Sequence, residues 1–291
     1  AKFLMEHGVG LLYPTLSSMS KNFPIKWIAW IPDLQHKEIP AYFSKKQIND
    51  RDFTYSKISK EAQKIVFSSI DSQKTFQRYF HCDSLKCEVL NFKSIINNKW
   101  LAADGKEVLS KYNLKENNYF IISNQWWTHK NHITAFKAAL ELKNRGKEIT
   151  LVCTGSTKDY RNKNHFNNLV DFINRSSLTN NIRILGSITR YDQIQLMKNA
   201  MAVIQPSLFE GWSTVVEDAR ALQKTIILSN INVNIEQDPP HAHYFSPMSP
   251  IELANTIDKV IKKQKSLSAP IKNINIDAKT QDIKLYGSDI L

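Results

Sequence analysis

Short apolar runs alternate with segments of helical spacing along most of the chain. In the first half, Val9-Gly10-Leu11-Leu12-Tyr13-Pro14, Lys26-Trp27-Ile28-Ala29-Trp30-Ile31, Ile65-Val66-Phe67 and Cys87-Glu88-Val89-Leu90 read as strands. Ser44 to Lys64 and Asp71 to Tyr79 read as helices between them, Phe3-Leu4-Met5 as a helix end capped by Gly8, and Asp33 to Lys37 as a loop after a strand. The alternation is clearer in the second half. Strands are predicted at Tyr119–Ser123, Ile149–Cys153, Ile182–Gly186, around Val203 and at Thr225–Leu228. Helices are predicted at Asn131–Asn144, Tyr160–Ser176, Tyr191–Asn199, around Val216 and at Leu253–Lys263. Such alternation implies parallel sheets covered by helices, with ligands outside the carboxyl ends of the strands. The stretch from Phe92 to Asn118 reads as a helix between polar turns and holds the domain boundary. The expected organisation is therefore residues 1–112, residues 113–270, and a polar tail, 271–291, in which Ile283 and Leu285 begin a helix that docks back.

The most informative stretch is Ala202 to Leu222. A short apolar strand ends at Pro206, a loop carries Phe209-Glu210-Gly211-Trp212-Ser213, and Val215, Val216, Ala219 and Leu222 give a helical spacing. Thr214 and Glu217 have the spacing of a capping box, and Gly211 leaves the approach open. Free amides at a helix start form an anion site; the plainer alternative is a well-capped helix in an α/β protein.

Composition narrows the class. The chain has 291 residues, 42% of them hydrophobic, and a formal charge of +12. No apolar run is long enough to cross a membrane. Three cysteines, Cys82, Cys87 and Cys153, form neither a disulfide framework nor a metal pattern, which fits a reducing compartment. Lys and Arg are spread over both halves, which argues against a nucleic-acid arm. The basic charge fits phosphate-bearing ligands, an anionic membrane surface, or a merely solvated surface. Gly8-Val9-Gly10 is not a dinucleotide fingerprint, because Tyr13 replaces the third glycine and a strand follows.

Three constellations carry candidate chemistry. Ser123-Asn124-Gln125-Trp126-Trp127-Thr128-His129-Lys130-Asn131-His132 joins a strand to a helix. Lys130 there is placed either to bind phosphate with helix amides or to remain a surface cation. Trp126 and Trp127 are an aromatic wall or core packing, and His129 and His132 lack a carboxylate at metal-ligand spacing. Glu210 to Asp218 offers carboxylates suited to sugar hydroxyls, which a carboxylate can accept in a fork. His36 lies just past a strand end, where it either faces a cleft or caps the loop.

Phe209-Glu210-Gly211-Trp212, Glu217-Asp218-Ala219 and Lys224-Thr225-Ile226-Ile227 together resemble the nucleotide-binding region of the retaining family 4 glycosyltransferases. The resemblance extends to Ser123-Asn124-Gln125, His129-Lys130-Asn131-His132, Leu185-Gly186 and Trp27–Asp33. It implies a GT-B-like α/β fold, with two Rossmann-like doubly wound domains and an active site between them. The family's Gly-rich loop near its first strand is not visible here, so the N-terminal, acceptor-side domain is expected to be incomplete.

By that resemblance Glu210 is the first acid of the paired-glutamate motif and touches the donor sugar. Asp218 stands at the position of the second acid, with Glu217 as the helix cap or its rival for the ribose diol. Lys130 matches the phosphate-binding lysine, whereas Gln125 stands where the family carries an arginine. The amides of Gly211, Trp212, Ser213 and Thr214 would hold the distal phosphate, Ile188 would lie beside the base, and His36 would reach the sugar or leaving phosphate. The implied activity is transfer of a sugar from a nucleoside-diphosphate sugar to a glycan or lipid-linked acceptor, in cell-surface polysaccharide synthesis. The alternatives are a nucleotide-sugar-binding module without turnover and a nucleotide-sugar epimerase of the same fold. No cofactor, metal or nucleic acid is expected, and the expected location is cytoplasmic, with peripheral contact at the inner face of the membrane.

Overall fold

The computed structural model describes residues 1–266; the expected tail, with Ile283 and Leu285, lies outside the described residues. The chain divides into two compact units. Among the described residues, the first comprises Ala1–Phe92 together with Phe209–Trp212, and the second comprises Lys93–Leu208 and residues 213–266.

In the first unit, α1 (Lys2–Glu6) precedes β1 (Leu11–Thr15), β2 (Lys26–Ile31), the single turn α2 (Gln35–Glu38) and α3 (Lys45–Glu61). β3 (Lys64–Phe67), α4 (Ile70–Tyr79) and β4 (Cys87–Val89) follow. All four strands pair in parallel in the order β1-β2-β3-β4. Alternate residues of β2 point the same way, so Trp27, Ala29 and Ile31 enter the core with Tyr55, Ile58, Phe67 and Phe76. The expected loop at Asp33–Lys37 contains α2 instead, where Gln35 and His36 are buried beneath the turn.

The second unit opens with two short helices, α5 (Asn98–Ala102) and α6 (Lys106–Lys111), rather than one. Then come β5 (Phe120–Ser123), α7 (His132–Asn144), β6 (Leu151–Thr154), α8 (His165–Arg175), β7 (Ile182–Gly186) and α9 (Arg190–Asn199). The remainder is β8 (Ala202–Gln205), α10 (Thr214–Ala221), β9 (Ile226–Ser229), α11 (Asn232–Gln237), β10 (Ala242–Phe245) and α12 (Pro250–Ser266). The six parallel strands are ordered β10-β9-β8-β5-β6-β7.

Every residue of β5, β6, β8 and β9 is buried, as expected of parallel strands covered on both faces. Phe120, Ile122, Leu151 and Cys153 face one core with α7, α8 and α12. Ile121, Val152 and Val203 face the other, with α9 and α10. Ile96, Leu101, Val108 and Leu109 join this second core, so the chain divides after Phe92 rather than near residue 112. The α8 helix starts at His165, five residues later than its apolar spacing suggests.

Candidate functional site

The second sheet reverses direction beside β5. The chain winds outward through β6 and β7, returns to β8 on the other side of β5, and continues to β9 and β10. The switch point therefore lies between β5 and β8, and the loops leaving their carboxyl ends open the crevice where such sheets bind ligands.

Those two loops are bonded to each other. Asn124 Nδ2, after β5, donates to Gln205 Oε1 at the end of β8, at 2.7 Å. Leu208 N donates to His129 O at 2.8 Å, and Asn131 Nδ2 to Pro206 O at 2.9 Å. Lys130 is the last residue of a 3-10 turn, Thr128–Lys130, between those two attachments. The turn is braced from the β6 loop, where Asp159 accepts from Thr128 N and Oγ1 at 3.0 and 3.1 Å. The Arg161 guanidinium lies 5.1 Å from the Trp127 ring centroid, and one of its nitrogens is 3.3 Å from His129 Nδ1. Gln125 is exposed. Trp126 belongs to the core and stacks on His132 at 4.5 Å, so only Trp127 of the pair remains half-exposed in the loop.

Burial makes the loop histidines poor proton acceptors. Burial, with the nearby Lys130 and Arg161 charges, pulls His129 down to about 2. Burial and the charge of His165 pull His132 down to about 3, and neither of its ring nitrogens has a hydrogen-bond partner. Among the described residues no group of three or more His, Cys, Asp or Glu could hold a metal ion.

The helix start after β8 differs from the spacing-based expectation. The N-cap of α10 is Ser213, whose Oγ accepts from Val216 N at 3.4 Å; Thr214 is the first helical residue and is exposed. The expected Thr214–Glu217 capping box does not form. Tertiary contacts set the cap one residue earlier: Ser213 N donates to Gln237 Oε1 at 3.0 Å, and Gln205 Nε2 donates to Ser213 Oγ at 3.1 Å. The Ser213 amide is thus engaged inside the protein.

The two acids of α10 also face inward. Glu217 accepts from Gln237 Nε2 at 3.0 Å and lies 3.4 Å from Arg220 Nε. Asp218, with no exposed surface, takes both terminal nitrogens of Arg190 at 2.6 and 2.5 Å and a hydrogen bond from Ser94 Oγ. Arg190 NH1 also donates to Gln193 Oε1 at 3.0 Å, and Gln193 Nε2 donates to Ser123 Oγ at 2.7 Å. Ile188 is half-buried against the core on this side of the sheet.

Glu210, Gly211 and Trp212 fall in the four-residue segment grouped with the first unit. A Cβ on Gly211 would lie 2.1 Å from the Pro32 carbonyl oxygen, so the space beside this glycine is filled by the chain's own backbone. Trp212 Nε1 donates to Phe92 O at 3.0 Å, and Glu210 is buried. His36 is buried too, 3.1 Å from Asp52 Oδ1 and 3.5 Å from Arg51 NH1, with Lys37 on the other Asp52 oxygen at 2.7 Å. Burial and the Arg51 charge hold it below the usual histidine range. Beside it, a cleft of about 320 Å³ is lined by Trp30, Asp50, Arg51 and Tyr55.

The family description "Glycosyl transferases group 1" matches residues 106–276, more than half of the chain. The chain belongs to the group 1 glycosyltransferases. Solved glycosyltransferases share its GT-B fold. HepE from Anabaena, in complex with UDP and glucose, superposes with a TM-score of 0.70 at 16% identity, over 83% of this chain and 63% of HepE. A glycosyltransferase from Rickettsia africae gives 0.69 at 18% identity, over 90% of this chain and 69% of its own. WaaG, involved in lipopolysaccharide biosynthesis, gives 0.68 at 11% identity, over 91% and 72%. No curated protein matches the chain in sequence. In this group 1 glycosyltransferase, Arg190, Ser94 and Gln193 surround Asp218, and Asp159 and Arg161 brace the Lys130 turn, none of them singled out by sequence. Arg190 is the first residue of α9, where the helix dipole opposes a cation.

Proposed function

We propose that the chain is the catalytic part of a retaining, family 4 type glycosyltransferase that moves a sugar from a nucleoside-diphosphate sugar to a glycan or lipid-linked acceptor. The observation that carries this reading is the pair of bonds tying the Lys130 turn to the Pro206–Leu208 segment at the switch point of the second sheet. Family membership and neighbours crystallised with UDP support the choice of donor.

The bond from the sugar's anomeric carbon to the diphosphate oxygen breaks, and the acceptor oxygen bonds to the same face of that carbon. The acceptor proton passes to the departing phosphate oxygen. Lys130 and the first-turn amides of Thr214 and Val215 balance the charge that gathers on the leaving group. With Gln125 exposed where the family has an arginine, Lys130 carries more of that charge. Glu210 grips the donor sugar and Ile188 flanks the base. Gly211 and Trp212 shape the loop, while Asp218, holding Arg190, stands on the ribose side with Glu217 as its buried neighbour. His36, held by Asp52, positions the Asp33 loop on the acceptor side. No metal or other cofactor takes part. The site of action is the cytoplasmic face of a membrane, within cell-surface polysaccharide synthesis.

The test is donor turnover with UDP-glucose, UDP-N-acetylglucosamine and GDP-mannose. Lys130→Ala should lower turnover of the preferred donor at least 100-fold without lowering the melting temperature. Turnover near the wild-type rate would overturn the reading. Donor binding with neither transfer nor hydrolysis in the wild type would leave a binding module.

A further inference from the structure

Asp218 stands where a ribose contact is expected, yet it has no exposed surface. A carboxylate offers about four lone-pair positions. Three are taken here: two by the Arg190 fork and one by Ser94 Oγ. Glu217, its neighbour, is held by Gln237 and Arg220. Neither acid presents an acceptor to a ligand.

Arg190 does present a donor. Its side chain is 38% exposed. Its terminal nitrogens are spent on Asp218, Gln193 and Ser94, while its Nε–H has no partner among the described residues. The guanidinium is fixed from three sides: Asp218 holds the fork, Gln193 holds one nitrogen and Ser94 Oγ lies 3.5 Å from the other. Gln193 is itself anchored on Ser123 Oγ at the carboxyl end of β5. Ser123 Oγ in turn lies 3.1 Å from Thr154 Oγ1 at the end of β6. The network therefore runs along the edge of the sheet where ligands bind. Asp218 is five residues beyond the N-cap Ser213, roughly 7.5 Å along the helix at 1.5 Å per residue. A diphosphate at the start of α10 would thus place its nucleoside, not its phosphates, level with Arg190.

We propose that Arg190 is the residue that reads the nucleoside in this chain, donating through its Nε–H to a ribose or base oxygen, and that Asp218 is its positioning residue. This rests on the donor reading given above. The polarity at this position is reversed relative to an acid on the ribose: the protein gives a hydrogen bond instead of accepting one. Lysine cannot substitute, because it lacks the planar fork that lets one group hold Asp218 and offer a further N–H.

Calorimetric titration with UDP and with inorganic pyrophosphate tests this. Arg190→Lys should weaken UDP at least tenfold and change pyrophosphate affinity less than twofold, a split that general loosening of the fold would not produce. Arg190→Met combined with Asp218→Asn leaves no unpaired buried charge and should show the same UDP loss with no further decrement. UDP affinity within twofold of wild type in Arg190→Lys or in the double variant overturns the proposal. So does a parallel loss of pyrophosphate, which would place Arg190 on the phosphates. Wild-type protein that takes none of UDP, GDP or ADP would overturn the donor reading itself, and this proposal with it.

Discussion

A methyl group added at Gly155 would sit 2.2 Å from the Asn124 carbonyl oxygen, on a backbone whose φ of +107° disfavours any side chain. The strain falls on the β6 loop and the clash on the loop after β5, so Gly155→Ala should destabilise the protein by about 3 kcal/mol. Chemical denaturation reads the loss. Gly211→Ala meets the Pro32 carbonyl at 2.1 Å without the φ penalty and should cost about 1–3 kcal/mol. Both residues look alike in sequence, as small residues in loops after strands. Gly211 was expected to leave room for a ligand, and its neighbour proves to be Pro32 of the same chain. No local pattern reveals that, because the contact joins positions far apart in the chain. Arg190 was not legible, because the apolar spacing starts its helix at Tyr191; only the structure makes it the first helical residue, where the dipole opposes a cation. That the compensating group is Asp218 follows only from the packing of α9 beside α10.

At the scale of elements, the start of α10 shows how tertiary contacts override a local motif. Thr214 and Glu217 have capping-box spacing, but Ser213 is held by Gln205 and Gln237 and becomes the cap. Ser213→Ala should therefore cost about 1 kcal/mol, whereas Thr214→Ala should stay within about 0.5 kcal/mol, as thermal unfolding can measure. The buried strands were the most legible elements: β2, β5, β8 and β9 are short apolar runs that nothing else explains. By contrast β10, Ala242–Phe245, carries no strand signal in sequence, because it is an edge strand whose three half-buried residues include His243. The six-residue α11 before it buries one apolar residue, Val233, beside Asn234 and Gln237, so it has no apolar period to read. The 92–118 stretch read as one helix because Trp100, Leu101, Val108 and Leu109 are all core-facing; Gly105, with φ +75°, breaks it in two.

Over the whole molecule, stability falls in acid, and His129 and His132 contribute to that fall alongside the buried His36 and His165. His129 and His132 titrate near 2 and 3 when folded and near 6.5 when unfolded. Above about pH 6.5 both states are neutral at these sites and no stability depends on them. Below that, the unfolded chain binds protons that the folded chain refuses, so stability falls with pH until the folded values are reached. The slope approaches about 1.4 kcal/mol per pH unit for each histidine. His132→Phe keeps the stack on Trp126 and should flatten the decline, which melting curves between pH 7 and 4 would show. The formal charge of +12 predicts binding to anionic vesicles that weakens as salt shortens the screening length below about 10 Å. Finally, residues 209–212 leave the body of chain that precedes and follows them and pack with residues from near the start. No single cut can therefore separate the halves cleanly. A fragment beginning at Lys93 would keep Phe209 and Trp212 but lose Pro32 and Phe92. The Trp212 indole would then lose the carbonyl that holds it, and Gly211 the backbone packed against it, however sound the six strands.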